Sequence, residues 1–454
     1  VQRLCDVGCD VNPKISAFFS WAVILLPVSL CLAVGAFVPL SDSLLWWHLA
    51  FGRAADGFER IPNAIHVSYL VGVDTPSVIV PWLSQWWLFK VHALGDIPGL
   101  LALRTWLVAL ALGISLMATF RRGLSQAALF VGSICGVLAA SAGGLGPETF
   151  GAVFVAATMA SVILSERDPR WLILPVVMAP VWVNVDVSFV VGFSLLLVVG
   201  VFRRSKWVLV ATALFALATL ASPRGFQVWI AVVEQLQAPA LMSVLVCGVL
   251  AVGLAVTASR EGLKREEVVL GLTLVAMTGV LDAPVTALLC LPALFHRAPV
   301  AASPKLGIAA TAAFVLAVMV QPLWAWHQSL ANSMGRPLIA RQIPAEAAQI
   351  IASWGSRPRF YNSPEFAGLL IWELTPDGFY PVVFQDQRSL GPEFDVLRQE
   401  VDKSPGVWRG VFQQNGVKAV LLKLPDQERL ATEIAEDPAW NVVWESPDAA
   451  LIVQ

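Results

Sequence analysis

Charge is scarce in this chain. Asp, Glu, Lys and Arg make up 14% of its 454 residues, against about 25% in an ordinary soluble domain. Hydrophobic residues supply 57%, and the mean hydropathy is +0.71. So much apolar surface excludes a soluble globular protein and demands lipid as part of the solvent. A basic stripe is also missing, the formal net charge being -2, which excludes a nucleic-acid binder. Cysteine offers little chemistry. Cys31, Cys135, Cys247 and Cys290 fall inside apolar runs and read as small hydrophobes. Cys5 and Cys9 lack the second pair that a metal site would need. No cysteine lies in the last third, so nothing there depends on a disulfide. That third also has no Gly-rich phosphate loop, no nucleophile elbow and no histidine after His327, which removes the commonest general base.

What the chain does have is long apolar runs. A bilayer-spanning helix needs about 20 apolar residues, and runs near that length occur at 16–39, 98–120, 124–143, 147–165, 206–222, 239–258 and 305–325. The run from Ile15 to Leu40 is too long for a signal-peptide core and reads as a retained first span. Two longer stretches, 171–202 and 266–296, are broken midway, the first by Asn184, Asp186 and Ser188 and the second by Asp282 and Pro284. Each reads as a hairpin of two short spans, which brings the total to about eleven transmembrane helices. Hairpin arms of about 15 residues reach only about 22 Å, so both turns are expected below the membrane surface.

Lys and Arg set the orientation, because cytoplasmic loops carry the excess. With Lys14 inside, Arg121 and Arg122, Arg167 and Arg170, Arg203, Arg204 and Lys206, Arg260, Lys264 and Arg265, and Arg297 with Lys305 all fall on one side. The expectation is a protein of the cytoplasmic membrane with its N-terminus inside and its C-terminal domain outside. Residues 1–326 then form the transmembrane domain, with an outer interfacial segment at 41–97, and residues 327–454 form a soluble extracytoplasmic α/β domain. Trp46, Trp47, Trp82, Trp86 and Trp87 suit an aromatic belt, with 82–94 a helix lying at the outer interface.

Beyond Trp326 the pattern shortens. Strands are expected at 358–361, 381–385, 417–423, 441–445 and 449–453, and helices near 344–354, 364–373, 393–403, 406–415 and 426–436. This alternation favours a small, largely parallel sheet covered by helices, read as a lid or docking module.

The same topology sends the unusual polar residues outward. Asp42 and His48 follow the first span, Pro147 and Glu148 open the fourth, Asn184 and Asp186 mark one hairpin turn, Asp282 the other, and Arg224 ends the seventh span. A carboxylate deep in a bilayer costs about 2.5–3.5 kcal/mol even on the lenient insertion scale. The set is therefore expected to surround one outward recess roofed by 41–87, although each residue taken alone also reads as an ordinary loop residue.

At that roof the chain resembles the GT-C-type integral membrane glycosyltransferases, in the bacterial branch that moves a sugar from a polyprenyl-phosphate carrier to an acceptor on the outer face. The family run D-x-D-x-W-W-H-L-x-x-G is matched by Asp42, Trp46, Trp47, His48, Leu49 and Gly52. I-P-x-x-D-x-F-S is matched by Ile61, Pro62 and Ser68, and H-E-W-L by Trp82 and Leu83. Pro147 with Glu148 is similar to R-P-E, and Trp182, Asn184 and Ser188 to W-x-N-x-H-G-S. In the tail, Asn362 through Trp372 resembles the family's Asn, Gly and Leu-Ile-Trp run, and Asp386 with Arg388 its D-x-R.

The departures are chemical. Leu44 and Ile65 replace acids, Val80 and Pro81 replace His-Glu, Gly146 replaces Arg, and Asp186 replaces His. Glycosyl transfer needs a carboxylate to take the acceptor proton or orient a metal, and cations to hold the leaving phosphate. Asp42 is the one matched acid. The preferred expectation is a diverged, noncatalytic subunit or scaffold docking a membrane protein partner and contacting membrane lipid. Two alternatives stay open. One is an active transferase, with Asp42 as base, His48, Glu148, Asn184 and Asp186 at the acceptor or a divalent metal, and Arg224 on a polyprenyl-phosphate donor. The other is a transporter, to which the broken hairpins point.

Overall fold

A computed structural model describes residues 22–57, 68–70, 81–120, 126–235, 265–281, 283–294, 309–316, 318, 338–340, 342–376, 380–385 and 392–454. The expected span at 239–258, the run Ile61–Val67, Asp282 and the pair Asp386 and Arg388 lie outside the described residues.

In chain order the first helices are α1 (Leu25–Phe37), α2 (Leu44–Gly57), α3 (Trp82–Phe120), α4 (Gln126–Ser141) and α5 (Pro147–Leu164). They are followed by α6 (Ile173–Val185), α7 (Phe189–Arg203), α8 (Lys206–Ala218), α9 (Gln227–Gln235), α10 (Arg265–Val280) and α11 (Pro284–Cys290). Then come α12 (Ala345–Ala352), β1 (Arg359–Asn362), α13 (Ala367–Leu374), α14 (Pro392–Lys403), α15 (Val407–Asn415), β2 (Val417–Lys423), α16 (Glu428–Ala435), β3 (Asn441–Glu445) and β4 (Ala449–Val453). Every described apolar run is helical, and both hairpins break where polar residues interrupt them. Helix α3 also breaks: Asp96 leaves helical geometry (φ 49°), two residues before Pro98, so an amphipathic piece precedes an apolar one. Helix α9 was not expected from the sequence as a separate element; it starts just past Pro223 and Gly225 (φ 52°).

The chain divides into two compact units. The first comprises Val1–Val38, Leu101–Ala142 and Glu148–Leu330. Its helices carry large apolar side chains on their outer faces, including Phe130 at 68%, Val177 at 66% and Leu217 at 63% exposure. In water such a surface would be an aggregation hazard; in a bilayer it is the lipid-facing surface. Helix α5, with 18 residues, is long and apolar enough to cross a membrane by itself. Arg104 is a buried charge within this apolar unit. It is 2% exposed, and its guanidinium donates to Gly35 O and Val38 O, each at 2.7 Å. Those are end carbonyls of α1, which lack partners within the helix.

The second unit comprises Pro39–Leu100, Gly143–Pro147 and Ala331–Gln454. Its sheet runs β1-β2-β4-β3, with β1 parallel to β2 and both other pairings antiparallel. The largely parallel sheet expected from the β/α alternation is thus corrected to a mixed one. The expected strand at 381–385 forms only isolated bridges, in which Val383 joins Phe360 and Ser68. Side chains alternate across a strand, and both faces of this sheet are covered. Phe360, Ala419, Leu421, Ala449 and Leu451 point to one face, where they pack with Trp47, Phe51, Ile351 and Leu370. Tyr361, Val420, Leu422, Ala450 and Ile452 point to the other, against Val401, Trp408, Phe412 and Ile434. One face is therefore covered by α2, α12 and α13, and the other by α14, α15 and α16. Helix α2, some 300 residues upstream in sequence, is part of the α/β core.

Candidate functional site

The sequence-predicted residues fall into two groups. Asp42 and His48 belong to the α/β unit, and Glu148, Asn184, Asp186 and Arg224 to the helical one.

Asp42 sits where three strands of chain meet. Leu40 N donates to Leu338 O at 2.9 Å, Ala340 N returns to Leu40 O at 2.8 Å, and Ser41 N donates to Gly143 O at 3.1 Å. Gly143 adopts φ 73°, and a Cβ there would overlap the Ser41 hydroxyl. The Asp42 carboxylate accepts the Leu44 amide at 2.9 Å and also the Leu145 amide. Burial pushes its pKa up to about 6 against the pull of those two amides. A carboxyl titrating there is matched to proton transfer near neutral pH. His48 is driven the other way, down to about 4, because burial disfavours the imidazolium. It is a neutral ring whose Nδ1 lies 3.0 Å from the Gln85 amide nitrogen. Gln85 Oε1 and Trp46 Nε1 are buried and have no hydrogen-bond partner among the described residues.

The rest of the Trp-rich run is packing. Trp46 and Trp47 are each 7% exposed; they lie in a core, not in a headgroup belt. Trp47 stacks on Phe51 at 5.7 Å, and Trp46 meets Trp372 at 6.3 Å. Gly368 lets α13 touch α2, since a Cβ there would stand 2.7 Å from Trp47 N. Gly52 does the same for α2 against α3 at the Gln85 carbonyl. Asn362 cross-links β1 to the 381–385 segment, donating to Gln385 O and accepting from Phe384 N, both at 2.9 Å. Ser68 donates to Phe384 O at 2.6 Å. Trp82 is half-buried against the same core. Trp86 and Trp87 are also half-buried, and the Trp86 indole donates to Asp56 at 2.9 Å.

In the helical unit, Asp186 follows α6 and accepts Ser188 N at 3.0 Å, an Asx turn that supports the reversal. Ser188 in turn accepts the Trp182 indole N–H at 3.1 Å. Trp182 is itself clamped, stacked on Phe154 at 5.4 Å and edge-on to Phe215 at 5.8 Å. Both Asp186 and Ser188 press on Gly151, where a Cβ would overlap them. Gly151 lies in the first turn of α5, three residues after Glu148, which is exposed. Asn184 donates within its own helix, to Pro180 O at 2.8 Å. Arg224 is half-buried in the turn before α9. Trp229 ties that turn to α7, edge-on to Phe189 at 5.1 Å and Phe193 at 5.2 Å. The start of α5, the Asp186 turn and the Arg224 turn thus gather at one end of the bundle.

No three His, Cys, Asp or Glu side chains among the described residues converge as metal ligands. Two residues escaped the sequence reading. Arg104 had a usable signal, a lone charge in an apolar run. Arg53 had none. It lies 4.1 Å over the Trp372 ring and donates to Trp372 O at 2.8 Å and Thr375 O at 3.0 Å, closing the end of α13.

No protein-family model and no curated protein matches the chain. Solved structures do. ArnT from Cupriavidus metallidurans in the apo state is 12% identical over 95% of this chain and 97% of its own, with a TM-score of 0.50. The same protein bound to undecaprenyl phosphate is 13% identical over 97% and 98%, with a TM-score of 0.49. The likeness to the apo form is one of fold. The chain shares the overall architecture of that ArnT structure.

Proposed function

We propose that this chain is a noncatalytic GT-C-fold subunit that docks a partner protein in the cytoplasmic membrane, with its N-terminus inside and its α/β unit outside. One observation carries the proposal. Apart from Asp42 and Glu148, the family positions kept here are those that pack, and several positions that would supply charge are apolar or already engaged. Trp46, Trp47, Gly368 and Trp372 hold α2 in the α/β core, Gly52 sets its crossing with α3, and Asn362 ties β1 to the 381–385 segment. Leu44 and Pro81 stand where acids would be, and Asp186 is tied to Ser188 and pressed on Gly151. Such a division keeps an architecture while removing proton transfer and phosphate neutralisation.

Native mass spectrometry of the protein extracted from its own membrane tests the proposal. A stoichiometric second polypeptide is expected. A bound polyprenyl-phosphate sugar, consumed on adding acceptor, would contradict it.

Asp42 favours a second reading, an active transferase using a polyprenyl-phosphate donor. Its carboxyl titrates near 6, where a general base is useful. In that reading Asp42 takes the acceptor hydroxyl proton.

A further inference from the structure

At the other end of α5 from Asp186, the short 3₁₀ turn Pro169–Leu172 meets the α7–α8 junction around a cleft of about 360 Å³. From Gly151 to Ser165 is 14 residues, about 21 Å along a helix, so this cleft is remote from the outer-end residues. Its polar wall is Ser165, Arg203 and Ser205, and its apolar wall includes Leu172, Trp207 and Val208.

Arg203 is fixed in place. Its guanidinium donates to Val162 O at 3.0 Å, to the Ser165 hydroxyl at 3.4 Å and to Glu166 Oε1 at 2.8 Å. Glu166, which also lines the cleft, is thereby neutralised. Asp168 accepts the Arg170 amide at 3.0 Å. Against these two acids stand Arg203 and four exposed residues adjacent in sequence to the cleft lining, Arg167, Arg170, Arg204 and Lys206. The segments that form the cleft therefore carry a net positive charge. The Ser205 hydroxyl makes no cap hydrogen bond to α8.

The surroundings are those of a lipid boundary. Trp207 is 57% exposed, and Lys206 Nζ lies 5.4 Å over its ring. Such Trp and Lys side chains anchor helices at headgroup depth. From there exposed apolar side chains continue along two helices that pack together. They are Ile173 and Val177 on α6, and Val210, Leu214 and Leu217 on α8. The cleft's volume falls within the range of small-molecule sites. An inorganic anion would use the charge alone, whereas a phospholipid uses both the charge and the apolar track beside it.

We propose that this cleft holds the phosphate headgroup of an anionic phospholipid, with its acyl chains lying along α6 and α8.

The test uses the full chain in nanodiscs of phosphatidylcholine, titrated with phosphatidylglycerol and read by native mass spectrometry after detergent release. Retention of phosphatidylglycerol over phosphatidylcholine is expected. The double variant Arg204→Gln with Lys206→Gln changes only exposed side chains. It should weaken retention roughly 25-fold, at about fivefold per cation near an anionic surface. Arg203→Gln should do the same if it accumulates; the exposed pair decides the matter if it does not. Lys403→Gln with Lys418→Gln, in the α/β unit, should leave retention unchanged. Equal retention of both lipids, equal loss in the control pair, or displacement of phosphatidylglycerol by an equal concentration of inorganic phosphate would each overturn the proposal.

Discussion

Replacing Gly368 with alanine tests the docking of α2 on the α/β core. The added Cβ would stand 2.7 Å from Trp47 N, 3.0 Å from Trp47 Cβ and 3.2 Å from Trp47 Cα. Two of those atoms are backbone, so no rotamer change relieves the overlap and the two helices must separate. Overpacking of this kind costs about 1–3 kcal/mol. For a unit of nearly 200 residues, each kcal/mol lowers Tm by about 2–4 °C, so the expected drop is roughly 2–12 °C. Gly410→Ala in α15 is the matched control, because a Cβ there meets nothing within 4 Å. It should be neutral or slightly stabilising, since alanine is the better helix former. Both variants are compared with the parent by thermal melting in detergent, followed through tryptophan fluorescence. If Gly368→Ala melts with the parent, the close crossing of α2 and α13 does not hold the unit together.

Burial raises the Asp42 pKa from 3.8 to about 6, so this group costs stability as pH rises through that window. At about 1.36 kcal/mol per unit the cost is at most about 3 kcal/mol, less because the side chain is partly exposed. Asp42→Asn should therefore melt with the parent near pH 4 and above it at pH 7.5; parallel melting curves across pH would refute the burial argument. Arg104→Met should strip the α1 end carbonyls of their partner and cost about 2 kcal/mol or more. It would appear as reduced abundance in the membrane and a lower Tm, and a variant as stable as the parent would sink the capping role. A protease added to spheroplasts should cut the α/β unit and spare the basic loops; the reverse pattern would overturn the orientation.

Strands β2, β3 and β4 were legible because each is a short apolar or alternating run between turn residues. Their direction was misjudged. Ser446, Pro447 and Asp448 between β3 and β4 are a turn signal that forces an antiparallel return, yet the neighbouring β/α alternation suggested crossovers instead. The 381–385 run has the composition of a strand but pairs only through Val383. The larger miss was α2. Five tryptophans next to a first span read as an interfacial belt, and nothing local reveals that Trp46 and Trp47 are core residues of a sheet assembled from the far end of the chain. Gly52 and Gly368 were visible as motif glycines, but only the helix crossings explain why they must be glycine. For the candidate site, the residue types at Asp42 and Asp186 were readable. Their environments were not, because burial, the Leu145 amide and the contact with Gly151 come from distant segments.

The noncatalytic reading is tested most directly by complementation of cells lacking this chain with two variants, scored alongside membrane abundance. Asp42→Asn should restore the parental phenotype in full, because packing and not proton transfer is what the retained residues supply. Trp46→Ala with Trp47→Ala should fail, through loss of the buried aromatic contacts of α2. Asp42→Asn protein present at normal abundance but unable to complement would contradict the scaffold reading and identify Asp42 as the base of a working transferase.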